Sequence, residues 1–148
     1  MKVGIVGHEQ AKFNKITEAA ARNLIHDNII YPGDTIISGG CHLGGIDIYA
    51  EEIAKELGNE MIVHLPKKQS WLGGYKDRNL KIARESDIVH VIVVEKYPEG
   101  YDSMKFNYCY HCGKNDHIKS GGCWTAKKAK IGVRHIIHID GSVTSEPF

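Results

Sequence analysis

No stretch of the chain stays apolar over the roughly 20 residues that a membrane-spanning helix needs, so a helical integral membrane protein is excluded. Neither sign of charge dominates. The 19 Lys and Arg against 18 Asp and Glu leave a net charge of +1, so no global field draws the chain to nucleic acid or an anionic membrane. The N-terminus MKVGIVGHEQ turns polar at His8 and lacks a signal-peptide core, which makes the cytoplasm the expected compartment and disulfides unexpected. Also missing are GxGxxG, a Walker GK[ST] string, HExxH, a nucleophile elbow and a Ser-His-Asp order. The common dinucleotide, ATPase, zincin and serine-hydrolase readings go with them.

What the chain does have is glycine and a local knot of cysteine. Its 16 glycines in 148 residues are about 11%, against a usual ~7%, and several stand in pairs. Three of its four cysteines fall between positions 109 and 123. The length fits one domain, residues 1–148.

Periodicity predicts alternating strands and helices. Strands are expected at Lys2–Val6, Thr35–Ser38, Met61–Leu65, Ile88–Val94 and His135–Ile139. Helices are expected at Asn14–Asp27, with Ile16, Ala19, Ala20 and Leu24 on the buried face, at Ile46–Leu57, at about Lys76–Glu85 and at Thr125–Ile131. The β-branched run of Ile88–Val94 suits a central strand covered on both faces. The expected fold class is α/β: a single Rossmann-like three-layer domain with about five parallel strands. Residues 97–119 show neither period and are too long for an ordinary connection. They mark an insertion, over 96–123, ahead of the last helix.

In such sheets a ligand lies beyond the carboxyl ends of the strands, where loops feed helix N-termini. Three loops carry suitable chemistry. The first is Gly7-His8-Glu9, the second runs from Ser38-Gly39-Gly40 to Gly44-Gly45, and the third is Ser120-Gly121-Gly122 leading to Thr125. Glycines let backbone N–H groups approach an anion, and helix N-termini add unpaired donors and a dipole. A single glycine pair is ordinarily just a tight turn; two Ser-Gly-Gly turns at equivalent positions favour a phosphate or ribose site. Asp47, in the first turn of its helix, either complements the helix dipole or bonds a ribose hydroxyl. His8 is a candidate acid, base or phosphate donor, though with nine histidines a bystander at a loop is the plainer reading. Arg78 beside Asn79, taken alone, reads as a solvated charge.

The strings SGGCHLGGIDIYAEEIAKELG, SWLGGYKDRNLKIARESDIVHVIVV and SGGCWTAKKAKIGV, in that order, resemble the SLOG superfamily. This is the Rossmann-like group that includes DprA and the Lonely Guy phosphoribohydrolases. The likeness is greatest to its small YspA-type, cpYpsA-related branch and covers most of residues 1–135 apart from 96–119. It implies a nucleotide-derived ligand over the sheet edge. Ser38, Gly39, Gly40, Gly45 and Asp47 would form one side, Arg78 and Asn79 another, and Gly121, Gly122 and Thr125 a third. It also implies homo-oligomers. The PGGxGTxxE string of the Lonely Guy enzymes is absent, and Glu51, four residues after Asp47, is not made catalytic by that spacing.

Cys109, Cys112, His117 and Cys123 form C-x2-C-x4-H-x5-C, which resembles the zinc knuckle C-x2-C-x4-H-x4-C with one added residue. Three thiolates and an imidazole suit one tetrahedral ion, and structural zinc is the expected cofactor, ordering an insertion with few apolar anchors. A redox CxxC, free buried thiols and a reactive Cys123 are the competing readings, with His111 an alternative ligand to His117.

Three functions compete. The first is a cytoplasmic protein binding a mononucleotide, NAD or ADP-ribose-like molecule, as a sensor or as an enzyme cleaving an N-glycosidic bond. The second is DprA-like nucleic-acid binding through the zinc module, with Lys67, Lys68, Lys127, Lys128 and Lys130 for phosphates and Tyr97, Tyr101, Tyr108 and Tyr110 for bases. The third is a partner-binding module without a ligand.

Overall fold

Parallel pairing of β-branched strands organises the chain. The computed structural model describes all of residues 1–148. Strands β1 (Lys2–Gly7), β2 (Thr35–Ser38), β3 (Glu60–Val63), β4 (Ile88–Val94) and β5 (Gly132–Ile137) run parallel in the order β3-β2-β1-β4-β5. A sixth strand, β6 (Val143–Pro147), pairs antiparallel with β5 at the edge. Helices α1 (Lys15–Leu24) and α2 (Ile46–Leu57) cover one face, and α3 (Lys76–Glu85) and α4 (Gly121–Lys128) cover the other. The result is the expected three-layer, Rossmann-like α/β domain with six strands instead of five.

The central strands justify their sequence. In β4, Val89, Val91, Ile92, Val93 and Val94 are all buried, the odd positions facing one core and Ile92 and Val94 the other. Helix α2 buries Ile46, Tyr49, Ala50, Ile53 and Ala54 as its period requires, and Gly58 ends it in the left-handed conformation at φ +77°.

Helix α1 departs from its expected face. Ile16 is 57% exposed and Ala19 is exposed, while Thr17 and Ala21 are buried. The cap sets this phase: the Thr17 N–H donates to Asn14 Oδ1 at 2.9 Å, and the Asn14 N–H donates to Thr17 Oγ1 at 3.0 Å. The helix then widens into a turn over Ile25–Ile29, which buries Ile25 and Ile29 and carries the segment past Asp27.

The C-terminal third also differs from its expected boundaries. Helix α4 begins at Gly121, not Thr125, because the Ser120 hydroxyl caps it by accepting from the Gly122 N–H at 3.1 Å. It ends at Lys128, where Ala129 turns extended. Strand β5 starts earlier than His135, as its partner β4 demands, with Gly132 opposite Val89. Strand β3 stops at Val63, before Leu65. Strand β6 carries no apolar period, because VTSEP is polar, mostly exposed and ends in proline, tolerable only at an edge. No helix is long and apolar enough to cross a membrane.

Candidate functional site

The strand order reverses between β1 and β4, and there the crossovers diverge to opposite sides and leave a crevice at the carboxyl edge. A cleft of about 250 Å³ opens at this point. Its lining includes Gly7 from the end of β1, Asp47 from α2, Arg78 and Asn79 from α3, and Gly121, Gly122 and Thr125 from α4. These residues, distant in sequence, are brought together as one site. Val6, Cys41, Trp71, Tyr75 and Ile82 complete it.

Arg78 is held in place from several directions. Its Nε donates to Asn79 Oδ1 at 2.8 Å, its Nη1 donates to the Gly39 carbonyl at 2.5 Å, and its guanidinium lies 5.4 Å from the Tyr75 ring centroid. Nη2 makes no bond to the protein. Asp47 is 7% exposed; its Oδ2 accepts from the Cys41 N–H at 3.2 Å, and Oδ1 is uncommitted. Burial pushes its carboxyl up to about 6, with the nearby Arg78 charge and the Cys41 bond pulling the other way. The Thr125 hydroxyl likewise engages no protein group. Arg78, Asp47 and Thr125 all line the cleft. A cation, a carboxylate and a hydroxyl-bearing residue meet there at the N-terminus of α4, where the Gly122 N–H is already taken by Ser120 Oγ.

The remaining predicted residues shape the cleft without lining it. The Ser38 hydroxyl is buried, donating to Glu51 Oε2 at 2.8 Å and accepting from the Gly40 N–H at 3.2 Å. Gly39 lies under Arg78, where a Cβ would fall 2.6 Å from Nη1. Gly40 lines a neighbouring hollow of about 240 Å³ beside Lys67 and Lys68. Gly45 caps α2 at φ +83°, where a side chain would meet the His8 carbonyl at 2.2 Å. Ser120 caps α4.

His8 is 4% exposed and bonded at both ring nitrogens. Nδ1 accepts from the Val94 N–H at 3.0 Å and Nε2 donates to the Lys119 carbonyl at 3.0 Å, tying the ends of β1 and β4 to the insertion. Burial drives its pKa down to about 3, so the ring is neutral. Burial also lowers His90 and His135 to about 4 each. A histidine with a depressed folded pKa contributes stability present above its unfolded value near 6.5 and lost as pH falls towards the folded value. We expect the melting temperature to fall between pH 6.5 and pH 4.5, and His90→Val to flatten that slope by up to about 1.4 kcal/mol per pH unit. Identical slopes in thermal melts of the two chains would contradict this assignment.

The second feature is the cysteine cluster. The ligand atoms of Cys109, Cys112, His117 and Cys123 all lie within 4.8 Å of one another. Around one tetrahedral ion, with metal–sulfur and metal–nitrogen bonds of about 2.3 and 2.0–2.1 Å, imidazole nitrogen and thiolate sulfur would sit about 3.5 Å apart. His117 Nε2 lies 3.5 Å from Cys112 Sγ and 3.6 Å from Cys123 Sγ. These residues therefore form a cluster compatible with a metal site. The imidazole in it is that of His117; His111 lies outside. Asp116 Oδ1 accepts from His117 Nδ1 at 2.7 Å, which leaves Nε2 with its lone pair for a metal.

Electrostatics favour a cation here. The hydrogen bond from Cys123 holds the Cys109 thiol far below its usual range, and the same contact pushes Cys123 up. One thiolate among close neighbours suppresses the ionisation of the next; a dication lets all three ionise. Three thiolates and a dication carry a net −1, and Arg134 answers it. Arg134 is 3% exposed, and its Nη1 donates to Cys112 Sγ at 3.3 Å. Its Nη2 pairs with Glu146, which β6 places opposite it, and lies 3.5 Å from Asp116 Oδ2. The sequence reading missed Arg134; its signal is a lone charge inside the strand GVRHII.

No protein-family model, curated protein or solved structure matches the chain.

Proposed function

We propose that the chain binds a nucleotide or nucleotide-derived small molecule in the cleft at the β1/β4 switch point. The observation that carries this reading is that Arg78, Asp47, Thr125 and the α4 N-terminus line one cleft. A guanidinium and helix-terminal amides suit phosphate; a carboxylate suits ribose hydroxyls. The resemblance to the SLOG superfamily supports the same ligand class. Asp47, poised near pH 6, is in the range where a carboxyl serves as acid or base, so N-glycosidic cleavage is the reaction to test beside simple sensing. We further propose that the Cys3His ion is zinc and structural, since thiolates select a soft-tolerant tetrahedral ion and four protein ligands leave no open position.

The test is calorimetry with AMP, NAD and ADP-ribose, together with an assay for released base. Arg78→Ala should lower affinity for the ligand that binds by roughly ten- to a hundredfold, the scale of a lost charge-assisted phosphate contact. Arg78→Lys should recover only part of it, because an ammonium cannot reproduce the fork held by Asn79 and Gly39. Undiminished binding by Arg78→Ala would remove this cleft as the site. Nucleic-acid binding has one observation in its favour, the exposed Tyr110 and Trp71 near Lys119. It predicts oligonucleotide affinity that falls steeply with salt.

A further inference from the structure

We infer that the ligand carries a planar nucleobase, and that this base stacks in a second, aromatic cleft built largely by the metal-cluster insertion. The inference rests on the reading of the first cleft as a phosphate and ribose site.

The second cleft holds about 650 Å³ and is lined by Trp71, Tyr110, His111, Lys119, Gly121 and Trp124. It shares Trp71 and Gly121 with the first, so the two adjoin. The first, at about 250 Å³, falls below the roughly 300–1,000 Å³ usual for a small-molecule site. It has room for the phosphate and sugar of a nucleotide, and the remainder must extend past Trp71.

What it would extend into is aromatic and basic. Trp71, on the turn before α3, meets Trp124 of α4 edge to face, with centroids 4.8 Å apart and planes at 85°. Tyr110 and His111 lie against each other at 4.2 Å between centroids. Lys119 holds its ammonium 5.2 Å from the Tyr110 ring centroid. Tyr110 is 64% exposed and Trp71 41%, which leaves ring surface open for a ligand to cover. Rings from three separate segments, with an ammonium beside them, present stacking faces plus a donor for a ring nitrogen or carbonyl. An aliphatic ligand would have no use for that geometry. The net charge of +1 and the buried Asp47 at the inner end favour one nucleotide over a polyanionic strand.

The insertion therefore has a role beyond closing the fold: Tyr110 and His111 are the two residues between Cys109 and Cys112, so the Cys3His cluster sets the position of the base platform.

Calorimetry with AMP, GMP, CMP and UMP beside ribose 5-phosphate tests this, with tryptophan fluorescence as a second readout. Both of the chain's tryptophans line the cleft. At least one nucleoside monophosphate should bind tenfold or more tightly than ribose 5-phosphate and quench the emission. Tyr110→Ala, at an exposed position, should shrink that affinity ratio to within about twofold, and His111→Ala should reduce it part-way. Equal affinities without quenching would overturn the base platform and leave the first cleft's role intact. Failure of every monophosphate, of ribose 5-phosphate, and of NAD and ADP-ribose to bind would overturn both. An oligo-dT strand that binds more tightly than any mononucleotide, with steep salt dependence, would replace the inference with a single-strand surface.

Discussion

A Cys112→Ser chain is expected to lose the zinc proposed for the Cys3His cluster and to melt well below the parent chain. Cys112 is one of the four clustered side chains and the least buried thiol among them, so the substitution would remove one proposed metal bond without opening a large core cavity. Structural zinc contributes about 10–16 kcal/mol to small finger peptides that have no other core. Here the sheet and its two apolar cores fold around their own contacts, so the loss falls on the insertion and the start of α4. A loss of about 2–4 kcal/mol corresponds to roughly 5–15 °C in melting temperature for a domain of this size. Hydrogen exchange should rise across residues 97–120 while β1 and β4 stay protected. Because Cys123 shares the first turns of α4 with Gly121, Gly122 and Thr125, AMP affinity should fall at least tenfold in the same variant. A parent chain that purifies without stoichiometric metal, or a variant with unchanged melting and affinity, would return the cluster to free thiols.

Asp47→Asn should stabilise the ligand-free protein at neutral pH and weaken its binding. The carboxyl of Asp47 is raised from 3.8 to about 6 by burial. The folded state thus holds this proton more tightly than the unfolded chain does. That contribution to stability is complete below pH 3.8 and is lost as pH rises through 6. At pH 7 the buried carboxylate is ionised at a cost of about 1–3 kcal/mol, at 1.4 kcal/mol per pKa unit. Asparagine keeps an oxygen for the Cys41 N–H and carries no charge, so it should raise the melting temperature by several degrees at pH 7 and by little at pH 4. A stability cost that is retained in the native residue is the pattern of a functional group. Lower stability for Asp47→Asn at both pH values would instead make the carboxylate a structural cap of α2.

Much of this was legible in the sequence. Ile46, Tyr49, Ala50, Ile53 and Ala54 announced α2, and Ile88–Val94 announced a central strand, because a helix or strand covered on its apolar side must repeat that side in the chain. The cluster spacing of Cys109, Cys112, His117 and Cys123 was equally readable, since a short loop around one ion is a local constraint. Apolar periodicity failed where a cap or a distant strand decided. Ser120 started α4 on two glycines that propensity would leave outside a helix. The capping pair Asn14 and Thr17 turned α1 so that Ile16 faces solvent. Strand β6 exists because β5 offers it an edge and Arg134 a charge to meet.

The sequence by itself determined a doubly wound α/β chain with glycine turns at its strand ends and a metal-type cysteine cluster, because periodicity and ligand spacing are properties of neighbours along the chain. The tertiary structure decided which of those turns face a common space. It put Asp47, Arg78 and Thr125 around one cleft and withdrew His8 and Ser38 into hydrogen bonds of their own. It also set Arg134 against the thiols and opened the aromatic cleft beside the first. Those outcomes depend on strand order and helix packing, which fix distances between residues that the chain itself keeps far apart.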